Sequence, residues 1–212
     1  MQSTEGSLAA PTRVQRRRDQ TRRDLLAAAQ RILANKGYHS AKVADIAREA
    51  QVGVGTFYLY YRTKEALFTE LVEETARIFK LQLEALTVSA LDPREHARLS
   101  IETFFRFARE HRELFRIVFG HGAEFHDVVR RVQAGFVADV RATLQHGMER
   151  GAFRRNRSDV LAPALIGLSD RVLSWWIKQD AVPLEDVTTA VLDFFFHGVG
   201  NESALKRRRG RA

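Results

Sequence analysis

Ser40 to Leu67 read SAKVADIAREAQVGVGTFYLYYRTKEAL, two short helical patterns around a small turn and then the start of a third. Val43, Ile46, Ala47 and Ala50 recur at helical spacing and form one apolar stripe, and Ser40 stands where an N-cap belongs. Gln51, Val52 and Gly53 interrupt that stripe. Val54 to Tyr61 then set Thr56, Tyr58 and Tyr60 among small residues, a mixture of hydrogen-bonding groups that a wholly buried helix would avoid. In a helix-turn-helix the second helix enters the major groove, and its first residues meet the base edges. The stretch therefore implies a DNA-reading module.

The charge distribution agrees with that reading. The formal net charge is +8 over 212 residues. Through residue 64 there are 12 Lys/Arg against 5 Asp/Glu, whereas residues 65–205 carry 17 against 21, and the tail from Lys206 adds 5 positive charges. Each phosphate that a Lys or Arg neutralises releases counterions, so a basic first segment draws the chain to DNA of any sequence.

Gly37-Tyr38, Val43-Ala44-Asp45-Ile46-Ala47, Ala50, Val52, Gly55-Thr56-Phe57-Tyr58, Tyr60-Tyr61 and Lys64-Glu65-Ala66-Leu67 resemble, in that order, the signature of the TetR family of bacterial transcriptional regulators. The resemblance spans roughly residues 20–70; the remainder fits by length and helical content. Three positions depart from the family pattern: Ala41-Lys42 replaces a frequent Thr pair, Val54 a common polar residue, and Arg62 a common Pro. Matching positions implies that Val54, Gly55 and Leu59 lie against the groove. Thr56, Tyr58, Tyr60, Lys64 and Lys42 are then the contacts to phosphates or base edges. Phe57, Tyr61 and Ile46 are expected in the core. Val54 can neither donate nor accept, so a base contact there would be apolar, for example to a thymine methyl.

The rest of the chain reads as all-α, about nine helices without strand alternation. Residues 1–18 read as a disordered basic leader, 19–66 as the helix-turn-helix domain, 67–202 as a helical effector-binding and dimerisation domain, and 203–212 as a basic tail. Leu25, Leu26, Ala29, Ile32 and Leu33 predict a bracing first helix closed at Gly37. Thr63 is placed to cap a helix from Lys64, whose stripe through Leu67, Leu71, Ile78, Leu81 and Leu86 makes it the mechanical link between domains. Asp92-Pro93-Arg94-Glu95 combines an N-cap, a first-turn proline and a capping-box glutamate. Later helices are expected from Phe125 to Arg150, from Ser158-Asp159 through Trp176, and from Pro183 through Val199.

Fourteen Phe is a high count, and most follow residue 100. Phe104, Phe105, Phe107, Phe115, Phe119, Phe125, Phe136, Trp175 and Trp176 are the candidate walls of an effector pocket, in competition with core and subunit interface. The family resemblance implies a homodimer joined by helices 158–179 and 184–199, with the pocket formed mostly between residues 93 and 150. Trp175 and Trp176 project about 100° apart, so one can face a partner and the other the pocket. Arg94, Arg98, Arg106, Arg109, Arg112 and Arg116 suggest a lipophilic effector with an anionic end, an acyl-coenzyme A or fatty acid, although Glu95, Glu102, Glu110 and Glu113 are interleaved at pairing distance.

Other chemistries find little support. There is no Cys, so disulfides, thiol catalysis and Cys-ligated zinc are excluded. His121 and His126 are off one helical face, and Glu73-Glu74 and Glu185-Asp186 diverge as sequence neighbours, so neither a metal centre nor an acid/base pair is expected. No cofactor and no enzymatic activity are anticipated. With no long apolar run and no signal-peptide pattern the chain reads as cytoplasmic, without a membrane partner. The expected partners are a double-stranded palindromic operator, a small effector and a second copy of the chain. The competing reading is a non-specific architectural nucleic-acid-binding protein.

Overall fold

In a computed structural model the described residues are 12–87, 92–120, 125–179 and 181–197, and within them the chain forms nine α-helices and no strand. It divides into two compact units, the first ending at Leu71 and the second starting at Val72.

The first unit contains α1 (Arg13–Ser40), α2 (Val43–Glu49), α3 (Val54–Tyr60) and the opening of α4 (Lys64–Thr87). Leu25, Ala28, Ala29 and Leu33 supply the buried face of α1, and Ile46, Ala47, Phe57, Leu67 and Phe68 are the buried apolar side chains of α2, α3 and the start of α4. Full burial of one such Phe or Leu contributes roughly 2–3 kcal/mol relative to exposure, so this unit rests on few large side chains. Ion pairs at its surface fasten neighbouring helices: Arg31 to Glu49 at 2.7 Å and Lys36 to Asp45 at 2.9 Å. Gly37 breaks α1, with φ 72° and ψ 168°. That conformation is open to glycine at little cost and explains why the helix changes course there.

Local expectations are revised at several caps. Arg13–Arg18, anticipated as disordered leader, is helical. Thr12 caps it, and its hydroxyl accepts from the Gln15 amide while Gln15 reaches back to the Thr12 amide. This capping box satisfies two otherwise free donors, and no apolar periodicity accompanies it to mark a helix in the sequence. Ser40 belongs to the turn that ends α1, and Lys42 is the N-cap of α2. Asp92 caps α5 (Pro93–Glu110) by accepting from the Arg94 amide at 3.0 Å, but Glu95 pairs with Arg98. α8 opens at Ser158-Asp159 as expected, with Arg157 in the N-cap position. Thr63 does cap α4, its hydroxyl accepting from the Ala66 amide at 3.1 Å.

The second unit holds the rest of α4, then α5, α6 (Arg112–Gly120), α7 (His126–Glu149), α8 (Ser158–Trp176) and α9 (Leu184–His197). Phe105, Ala108, Leu173, Trp176, Ile177, Leu184, Val187 and Val191 form its buried cluster, drawn from α5, α8, α9 and the connection after α8. Trp176 donates its indole N–H to the Val182 carbonyl at 2.9 Å, satisfying the one polar atom of a buried ring. Arg112 stacks over that ring and donates to the Ile177 carbonyl at 3.0 Å. The leader through residue 11, His121 and the basic tail lie outside the described residues. Among the described residues, no helix is long and apolar enough to cross a membrane.

Candidate functional site

The turn between α2 and α3 is built on Gln51, whose φ of 57° is left-handed, while Gly53 has φ −72° and serves as the N-cap of α3. The Gln51 amide donates to the Arg48 carbonyl and the Val52 amide to the Ala47 carbonyl, closing α2. Phe57 is fully buried and Tyr61 nearly so, which fixes the inward face of α3. The outward face carries Val54 at 43% exposure, Tyr58 at 54% and Leu59 at 80%. Two aliphatic side chains left in water on one short helix gain free energy from any surface that covers them. A Cβ added to Gly55 would meet nothing within 4 Å, so the fold itself does not require glycine there.

The eight residues anticipated at the DNA fall into distinct settings. Lys42, Val54, Gly55, Tyr58 and Leu59 are exposed, and Thr56 and Tyr60 are half-buried. Lys64 differs: its ammonium donates to the Tyr38 carbonyl at 2.7 Å and the Ala41 carbonyl at 3.0 Å and lies 4.2 Å from the Tyr38 ring centre. It therefore ties the start of α4 to the end of α1. A second tie joins α1, the residue after α3, and α4. Arg22 bonds Glu70 at 2.6 Å, and the Tyr61 hydroxyl donates to the same carboxylate at 2.9 Å. Burial and that carboxylate push the Tyr61 phenol well above its ordinary range, so it remains a neutral donor. The basic residues Arg13, Arg16, Arg17 and Arg18, all exposed on the first turns of α1, extend the positive surface of this unit.

The second unit holds a partly open cavity of about 500 Å³ between α4, α5, α6, α7, α8 and α9. Of the anticipated walls, Phe104, Phe107, Phe115 and Phe119 line it. Phe105, Phe125 and Trp176 do not: all three are buried in packing, and Phe105 and Trp176 belong to the core cluster. Trp175 is 43% exposed and borders a shallow apolar groove with Val172, Val187 and Phe194 on α8 and α9. Phe136 lines it as well, and Phe79, Phe153 and Phe195 are walls that the sequence pattern did not assign to the pocket. Gly147 makes room for one of them, since a Cβ there would stand 2.2 Å from the Phe153 ring.

The arginine row of α5 and α6 is committed elsewhere. Arg98 bonds Glu95 and Glu102, Arg109 bonds Glu185, Arg116 bonds Glu113, and Arg94 lies over Phe196. None of the six arginines lines the cavity, so the anticipated guanidinium at its mouth is not found among the described residues. The polar groups that do line it include Asp170, Gln133, His96, Ser100 and the pair Lys80–Asp139.

Residues 25–71 match the model of bacterial regulatory proteins of the tetR family, and residues 90–199 match the tetracyclin repressor-like C-terminal domain. The chain belongs to the TetR family. This TetR-family protein is a DNA-binding transcriptional regulator, and its relatives are regulators, not enzymes. It is 24% identical over 185 residues to an uncharacterized HTH-type transcriptional regulator of Bacillus subtilis, covering 85% of this chain and 93% of that one. It is also 24% identical over 184 residues to the fatty acid metabolism regulator protein of the same organism, covering 84% and 95%. The transcriptional regulator FadR from Bacillus subtilis, solved in complex with stearoyl-CoA, shares the fold with a TM-score of 0.76 at 22% identity, over 84% of this chain and 99% of that one. Against the family pattern, this regulator buries Ala41 and exposes both Lys42 and Arg62.

Proposed function

We propose that the protein is a homodimeric repressor that leaves a palindromic operator when a small lipophilic molecule fills the cavity of its second unit. The observation that carries this reading is the cavity itself: about 500 Å³ is the size of an occupied ligand site, and its walls are mostly aromatic and aliphatic. α4 supplies Val72, Thr75, Ala76, Phe79 and Leu83 to that cavity and begins at Lys64, which is bonded to the end of α1. A ligand pressing on α4 thus has a continuous helix through which to favour one arrangement of the DNA-binding unit over another.

Val54, Gly55 and Leu59 lie against base edges, Tyr58, Thr56, Tyr60 and Lys42 hold phosphates or base edges, and the arginines at the start of α1 add backbone charge. Lys64 can offer at most its remaining N–H to phosphate. The dimer forms through α8 and α9, whose exposed Val160, Trp175 and Phe194 would be covered by the same helices of a second copy. Two recognition helices then reach half-sites one helical turn apart or a multiple of it.

Relatives named for fatty acid metabolism support an acyl chain as one class of lipophile. The walls suit such a chain, but among the described residues no lining arginine receives an anionic end. A footprint on DNA upstream of the protein's own gene tests the operator reading: protection of a two-fold symmetric site supports it, and uniform protection of unrelated duplexes contradicts it.

A further inference from the structure

Asp170 is the exceptional residue of the cavity. It sits on α8 with its carboxylate bonded to the side-chain amide of Gln133 on α7 at 2.6 Å, and both residues line the cavity. Among the described residues no cation contributes to its surroundings; desolvation pushes its carboxyl up to about 6, and only the Gln133 bond opposes that. The wider lining has the same sign. Among the described residues Glu84, Asp139 and Asp170 are its three carboxylates, while Lys80 is its one ammonium and is already 3.2 Å from Asp139. His96 adds no positive charge, because burial lowers its imidazole below the ordinary range.

A half-buried carboxylate in a mostly apolar cavity, with no cation beside it, disfavours the empty protein, and such placements concentrate at functional sites. Gln133 supplies one amide N–H and leaves the other carboxylate oxygen free for a donor from the ligand. We infer that the ligand of this cavity is a lipophilic amine, its apolar body against Phe79, Phe104, Phe107 and Phe136 and its protonated nitrogen bonded to the Asp170 carboxylate beside Gln133. A fatty acid would bring a second carboxylate to a site that already carries excess negative charge, and an alcohol would offer a hydrogen bond without the charge. The inference rests on the cavity being the effector site and names the chemistry of that effector.

The test compares decylamine, decanol and decanoate, each below its micelle concentration, by calorimetric titration of the full-length wild-type protein and of Asp170→Asn. The wild type should bind decylamine about tenfold or more tightly than decanol, the scale of a hydrogen bond to a charged group, and decanoate most weakly. Asp170→Asn should abolish the preference for the amine and leave decanol binding within about twofold. The order of the three affinities in the wild type is informative without any variant. Decanoate binding as tightly as decylamine, or an amine preference that survives in Asp170→Asn, overturns the inference while leaving the cavity as the effector site. Failure of all three to bind overturns both.

Discussion

Single side chains set the strongest constraints on this molecule. Lys64 matches a DNA-contact position in sequence yet serves to hold the fold, because two backbone carbonyls and the Tyr38 ring surround its ammonium. Lys64→Met should lower unfolding free energy by about 1–3 kcal/mol in urea titrations, since two charge-assisted bonds are removed and the carbonyls are left in a half-buried site. Asp170 works in the opposite direction. Its folded-state value of about 6 exceeds its ordinary 3.8, so the folded protein binds an extra proton within that window and loses stability as pH rises through it. Asp170→Asn should therefore stabilise the ligand-free protein by roughly 1–2 kcal/mol at pH 7.5, with the gain vanishing toward pH 4 in parallel melts. Tyr58 is exposed, and Tyr58→Phe should weaken operator and random DNA alike in anisotropy titrations if its hydroxyl holds phosphate; unchanged affinity removes that role. At this scale the sequence was legible where a residue's neighbours in the chain decide its fate, as for Phe57 or Thr63. It was silent on Asp170, because one acid on an amphipathic helix looks solvated until α7 is packed against it. Gln51 was equally silent, since its left-handed backbone is imposed by two α2 carbonyls.

Elements were more readable than their ends. Apolar spacing reports that a helix exists and which stripe is buried, and all the long helices follow from it. It does not report whether a buried stripe meets a neighbour or a void. Phe104 and Phe107 face the cavity, whereas Phe105, about 100° away from Phe104 on the same helix, fills the core. Phe79 and Phe136 join the cavity from α4 and α7 because the surrounding helices leave space beside them, a tertiary fact. Gly147 is an element-level constraint of the same kind: Gly147→Ala must push the Phe153 ring away and should cost about 1–3 kcal/mol in chemical denaturation. The first turns of α1 pose a cleaner question, since Arg13, Arg16 and Arg17 are exposed and remote from the buried face that begins at Leu25. Replacing the three with Gln should leave the melting temperature unchanged and reduce the slope of log affinity against log salt by about 0.9 for each phosphate no longer neutralised. An unchanged slope would place that end of α1 away from DNA.

For the molecule as a whole, one unit presents a surface that exposes apolar and hydrogen-bonding groups on a short helix, and the other holds a mostly apolar, partly open cavity. The DNA-binding half was legible because its ordered motif is dense. The ligand half was legible only as a surplus of aromatic residues, and in the arginine row that pointed to an anionic ligand Arg98, Arg109 and Arg116 are satisfied by carboxylates. The central claim is that cavity and recognition helix are coupled through α4. It is tested most directly by measuring affinity for the footprinted operator while titrating a ligand shown by calorimetry to occupy the cavity. A coupled protein loses affinity by roughly 5- to 150-fold at saturation. An operator affinity that stays constant with the cavity fully occupied would contradict the account.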